Sequence, residues 1–434
     1  MDMLPPSTEL SRRSVLTMIG AVLASGAIAG CGRSDSPSDT GSGPLRMLAL
    51  GLTPGLVQLY EKKLLPAFAT ETAVKVELQT SDWGSAFQKV LTAAASKTMP
   101  DVLMLGGIWT APLVAANALL PLDRFMNSWK DKDQYYPSML EDGRYDGKTY
   151  AVPLFPDVRT VCYRADMFLA AGLNPEKPPT TWDEYKEYAA KLVRRRGGDI
   201  ITQGADWSLN TGVGLQQAFA QLMLQAGGKY YDDAGKATFA SDPGLRALEY
   251  MVSFYRDGIS SAKIVTQPTG GWPLVSGKAA MAFTNEAIYQ NAKNSDESVV
   301  AKLKAGLPLK ADAAAKPITT AWINKLGIAA NTGNPDGAWK LIEFLSKSDN
   351  LGAFVTALGT QPPRKDLADA AHLRQIDKHF VAASEYIVPQ PQNRKMLQIA
   401  NLIATELQRA ITLQDPPAQV LETIDKKIDG LTGA

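Results

Sequence analysis

Leu45-Arg-Met-Leu-Ala-Leu50 is an apolar run of strand length, and the pattern that follows it decides the fold. Leu56, Leu59, Tyr60, Lys63 and Leu64 recur at helical spacing, and Val74, Val76 and Leu78 then alternate with polar residues as a second strand does. Trp83, Phe87, Val90, Leu91 and Ala94 fall on one face of a helix. Pro100-Asp101 opens a third apolar run, Val102 to Leu105, and Trp109 to Ala116 with Leu119 to Leu122 continues as helix and loop. Strand, helix, strand, helix, strand is the order of a parallel sheet in an α/β fold.

Downstream the pattern changes. Tyr150-Ala-Val-Pro153 leads into extended chain through Pro156 to Tyr163, with two prolines and no helical period, which suits a crossing between two lobes. Helix starts are then well marked. Thr181-Trp-Asp-Glu184 has the capping-box form. Asp242-Pro243, Asn334-Pro335 and Asp415-Pro416 each place a capping side chain before a proline of a first turn. Long helices are expected from about residues 182, 214, 243, 335, 393 and 416. Arg194-Arg195-Arg196 and Lys426-Lys427 read as solvated faces late in helices.

The chain has 434 residues, room for more than one hydrophobic core. Its 45 Lys+Arg balance 44 Asp+Glu, which argues against a nucleic-acid partner. Residues 1–30 read as a targeting segment. Ser11-Arg-Arg-Ser14 resembles a twin-arginine signal, with Val15 and Thr17 in place of the usual Phe and Lys. The apolar run from Val15 to Gly30 is too short to span a bilayer. Ile28-Ala29-Gly30 before Cys31 resembles a lipobox, so Cys31 is the expected lipidation site and the only expected hold on a membrane. Residues 31–43, rich in Ser, Gly, Asp and Pro, read as a flexible tether. Cys162 is then alone within an apolar run, which predicts a buried structural thiol.

Enzyme motifs fail on spacing. Gly143-Arg-Tyr-Asp-Gly147-Lys148-Thr149 has three residues between its glycines where a phosphate loop needs four, and Gly212-Val-Gly214 lacks the third glycine of a dinucleotide site. His372 and His379 have no metal-ligand partners in sequence, so neither metal nor cofactor is expected. A pair of acids for glycan hydrolysis stays open, since sequence cannot single out two carboxylates. The aromatics are more informative. Trp83, Trp109, Trp207, Trp272 and Trp322 all fall near element boundaries beside glycines, carboxylates or an amide, as suits stacking on a sugar face. Trp182 and Trp339 lie on amphipathic helices and read as core.

Six segments together, by their order and spacing, resemble the extracellular solute-binding proteins of ABC importers, in the sugar-binding branch. They are Ser96-Lys-Thr-Met-Pro-Asp-Val-Leu-Met-Leu105, Leu119-Leu-Pro-Leu122, Asp146-Gly-Lys-Thr-Tyr-Ala-Val-Pro153 with Val161-Cys-Tyr163, Gly172-Leu-Asn174 with Pro178 to Tyr185, Ser276-Gly-Lys-Ala-Ala-Met281, and Gln361-Pro-Pro-Arg364. Asn334 to Ser346 also fits the pattern. Where many maltose-type members carry Gly-Pro-Trp, this chain has Asn285-Glu286-Ala287, so that stacking aromatic is missing and Glu286 stands ready to accept hydroxyl or amino hydrogens.

The resemblance implies a two-lobed periplasmic-binding-protein-like fold with a ligand cleft and a hinge of crossing segments. The N-lobe would use 44–156 and 308–350, the C-lobe 157–307 and 351–434. It further implies an exported, non-enzymatic monomer, anchored outside the cytoplasmic membrane. Such a protein would hand a mono- or oligosaccharide unaltered to permease and ATPase subunits on other chains; a glycerophosphodiester is the alternative cargo and a secreted glycan hydrolase the alternative class. Expected ligand contacts are Trp83, Trp109, Asp157, Arg159, Trp207, Trp272, Asn285, Glu286, Trp322 and Arg364, the last as a bidentate donor to two hydroxyls.

Overall fold

A computed structural model describes residues 43–208, 213–265, 272–369, 377–388 and 390–433. The targeting segment, tether residues 31–42 with Cys31, Gly212 and His372 lie outside the described residues. The strands are β1 (Leu45–Leu50), β2 (Val76–Ser81), β3 (Val102–Leu105), a small hairpin β4 (Arg144–Tyr145) and β5 (Lys148–Thr149), and β6 (Ala151–Val158). There follow β7 (Thr160–Arg164), β8 (Arg194–Arg196), β9 (Asp199–Asp206), β10 (Ala279–Thr284), β11 (Leu303–Ala305), β12 (Thr319–Ile328) and β13 (Ile387–Val388).

The first sheet has the order β13-β12-β3-β1-β2, with β6 on β12 as well. Within it β1 runs parallel to both β2 and β3, as the strand–helix alternation requires, and Met47 stands opposite both Leu78 and Val102. Nearly every residue of β1, β3 and β12 is buried, the mark of strands covered on both faces. The second sheet is β11-β7-β10-β9-β8, with β9 and β10 parallel. The chain passes from one sheet to the other at Arg159, between β6 and β7, inside the stretch expected to cross. It returns between β11 and β12.

Two assignments by sequence segment shift. Helix Ser348–Leu358 packs on helices Pro54–Leu59 and Pro335–Ser346, and β13 pairs with Thr319–Thr320 of β12. These parts of 351–434 therefore sit with the first sheet. Helices Met396–Ile411 and Pro417–Thr432, in contrast, pack on helices Val213–Gln225 and Asp242–Arg256 beside the second.

Helix starts at Trp182, Val213, Asp242 and Pro335 lie within a residue of those read from the sequence, and Thr181 and Glu184 form the full capping box. Asn334 caps its helix through the Gly337 amide. Asp242 does not cap, because the helix begins with it and Ser241 takes the cap position. Asp415 is likewise drawn away by an ion pair with Arg409. Arg194–Arg196 is an exposed edge strand, not a helix end: β8 closes a hairpin through Gly197-Gly198, both at positive φ. Cys162 is fully buried in β7, and burial pushes its thiol well above its ordinary value. Among the described residues no helix is long and apolar enough to cross a membrane.

Replacing Thr181 with Ala removes the side-chain acceptor of the capping box and should lower the unfolding free energy by about 1 kcal/mol, measured by urea denaturation. A native protein that melts like its parent after this change would show the cap to be idle.

Candidate functional site

The carboxyl ends of parallel strands are where open α/β sheets gather ligand groups, and both sheets bring theirs to one place here. In the first, β1 ends at Gly51, β2 at Asp82-Trp83, and β3 at Gly106-Gly107. Gly51 has φ of 61°, a left-handed conformation, and a side chain there would collide with the Trp83 indole. Asp82 caps helix Trp83–Ala95 through the Ser85 amide, which holds Trp83 at the exposed first turn, 40% accessible. Trp83 meets Trp109 edge to face at 6.0 Å, and Phe87 supports Trp109 at 5.1 Å. Trp109 lies over Gly106, where a Cβ would stand 3.0 Å from the indole nitrogen, closer than an ordinary contact.

Gly107 continues this surface to Trp322 on β12. A Cβ on Gly107 would stand 2.7 Å from the Trp322 Cβ, so glycine is needed for the close approach. Trp322 pairs in register with Asp157 of β6, and the Arg159 guanidinium lies 5.4 Å from its ring centre, a cation–π contact. Arg159 donates to both oxygens of Asp157 at 3.2 Å, and the Asn285 amide donates to Asp157 Oδ1 at 2.8 Å. Asn285 follows β10, so this hydrogen bond joins the two sheets beside the crossing.

Its neighbour Glu286 turns inward. It is 1% exposed, and its Oε1 accepts from the Thr360 hydroxyl and, at 2.9 Å, from the Gln361 amide, while Oε2 has no hydrogen-bond partner. Burial pushes the Glu286 carboxyl up to about 7; the two donors oppose this shift and the nearby charge of Asp157 adds to it.

Of the ten expected contacts, Trp83, Trp109, Trp322, Arg159, Asp157 and Asn285 thus form one continuous array, while Glu286 turns away from it into the 360–361 segment. The other three do not join it. Trp207, 1% exposed, stacks on Phe283 at 5.3 Å and meets Phe254 and Tyr185 edge-on in the core of the second lobe. An indole at a strand end can pack inward as readily as outward, and period alone does not tell which. Trp272 packs against the apolar cluster of Leu274, Val275 and Phe380. Arg364, 3% exposed, is spent on Asp366, Asp131 and the Ser346 carbonyl, so it has no fork to offer two hydroxyls. Sequence reading missed Gly51, Thr360 and Gln361. The Gln361-Pro-Pro-Arg364 motif was noticed for its arginine, whereas the residue that reaches this region is Gln361, through its backbone.

Residues 53–351 match the model of the family described as bacterial extracellular solute-binding protein. A binding protein of Brucella abortus is 24% identical over 389 residues, covering 86% of this chain and 89% of its own. An ABC transporter solute-binding protein of Thermotoga lettingae, solved with α-D-tagatose, aligns with a TM-score of 0.78 at 23% identity over 90% of this chain and all of its own. One from Agrobacterium radiobacter, in complex with ribitol, gives 0.77 at 21% identity, covering 90% and 99%. These likenesses establish the two-lobed periplasmic-binding-protein fold.

The raised Glu286 carboxyl sets a pH dependence. The folded chain holds this proton up to about pH 7, whereas the unfolded chain releases it near 4.5. Between those values the folded state binds more protons, so stability falls as pH rises through the window. Glu286→Gln should remove that contribution, so its melting temperature relative to the parent should be higher at pH 8 than at pH 4.5. Arg364→Met should lower the melting temperature, through loss of its ion pairs, while leaving the Trp fluorescence response to ligand intact.

Proposed function

We propose that this chain, which belongs to the bacterial extracellular solute-binding protein family, captures a neutral sugar or sugar alcohol between its lobes and releases it unaltered to an ABC permease. The observation that carries this reading is the continuous array from Trp83 through Trp109 and Trp322 to the Arg159–Asp157–Asn285 cluster. Indole faces stack on the C–H faces of a pyranose or alditol, and the ion pair with its amide offers donors and acceptors to hydroxyls. The charges of Arg159 and Asp157 cancel, which favours an uncharged polyol over a glycerophosphodiester. The ligands named for the tagatose and ribitol complexes are of the same class.

A ligand that touches both lobes stabilises the closed form, and the permease would read that form. We place the chain outside the cytoplasmic membrane as a monomer, held by lipid on Cys31, with transmembrane and ATPase subunits on other polypeptides. The hydrolase alternative needs two accessible acids. Asp157 is engaged by Arg159 and Asn285, and Glu286 by Thr360 and Gln361, so neither is poised for that task.

A thermal-shift and Trp-fluorescence screen of neutral mono- and disaccharides and alditols should find a saturable ligand that raises the melting point and is recovered intact. Trp83→Ala, at an exposed indole, should weaken that ligand by about tenfold or more without unfolding the chain. A response to no polyol, or the appearance of cleaved sugar, would remove the proposal.

A further inference from the structure

Lysine is among the residues least often fully buried, yet Lys325 is 0% exposed in the middle of β12. The strand register with β6 shifts between Asn324 and Lys325, an irregularity that re-aims the side chain at this position. The Lys325 ammonium donates to the Gly107 carbonyl at 3.0 Å and forms an ion pair with Asp142, whose other oxygen accepts from the Gln392 amide at 3.3 Å. Desolvation makes such a pair expensive, and apolar side chains of similar volume generally stabilise as well. Packing alone therefore gives no reason for a cation here.

The hydrogen bond to Gly107 does. Gly106-Gly107 is the peptide against which both buried tryptophans sit: the Trp109 indole lies over Gly106, and the backbone of Trp322, with its Cα 2.8 Å from where a Gly107 Cβ would stand, presses on Gly107. Among the described residues the loop is otherwise closed by the turn bond from the Trp109 amide to the Gly106 carbonyl at 3.1 Å. We propose that Lys325 is a positioning residue for the ligand surface: its ammonium, neutralised by Asp142, pins the Gly107 carbonyl and so fixes the spacing of Trp109 and Trp322. The inference rests on the reading that these indoles receive the ligand. Lys325 itself touches no ligand in this scheme.

Two neutral double variants of the full chain separate this role from mere stability. Lys325→Met with Asp142→Leu removes the ion pair and the donor; Lys325→Gln with Asp142→Asn removes the charges but keeps a donor toward Gly107. Hydrogen exchange of the 107–110 amides should speed up by about tenfold in the Met/Leu protein and stay near the parent rate in the Gln/Asn protein. Affinity for whichever polyol the parent binds, drawn from a panel of ribitol, tagatose, glucose and maltose, should follow the same order. Equal exchange in the two variants overturns the role of Lys325. A parent that binds no member of the panel overturns the sugar reading instead, and the exchange comparison still decides the lysine.

Discussion

The carboxylate of Asp157 is the point on which the architecture of the site depends. It accepts hydrogen bonds from Nε and Nη2 of Arg159, which stands at the crossing from one sheet to the other, and from the amide of Asn285 at the end of β10. One acid thus ties the crossing strand to the second lobe, with Trp322 directly opposite it in register. A partly buried carboxylate holding three N–H donors from two residues in this way is directional. The aromatic surface of the first lobe and the polar end of the second meet because of it.

Glu286, one residue further, follows a different physical logic. The same turn that presents Asn285 toward Asp157 drives Glu286 inward to the 360–361 segment, where an ionised carboxyl is penalised by desolvation. The pair of neighbours therefore divides two tasks: Asn285 joins the array at the crossing, and Glu286 stitches the end of β10 to the chain that follows helix Ser348–Leu358.

Much of this was legible in the chain itself. β1, β3 and the helix at Trp83–Ala95 follow from runs and periods confined to a few neighbouring residues, and Thr181–Glu184 forms its capping box from local hydrogen bonds alone. The crossing at Arg159 was foreshadowed by Pro153 and Pro156 just before it. Asp242 and Asp415 show the limit of the local rule, since a start one residue earlier or a nearby arginine takes the capping side chain elsewhere. The triple arginine at 194–196 was misplaced because charge carries no period, and only the hairpin with β9 makes it a strand.

The division for the site is sharper. Sequence by itself determined the α/β alternation and the aromatic residues at strand ends, because periodicity and turn chemistry act over a few residues. It could not decide whether an indole at a strand end stays exposed, as Trp83 does, or packs into a core, as Trp207 does. Nor could it show that Arg364 is taken by Asp131, that Lys325 is buried under Gly107, or that Glu286 meets Thr360. Those outcomes join residues 74 to 233 positions apart. They are set by how two sheets and their helices pack in space, where burial and a distant charge decide what each side chain can touch.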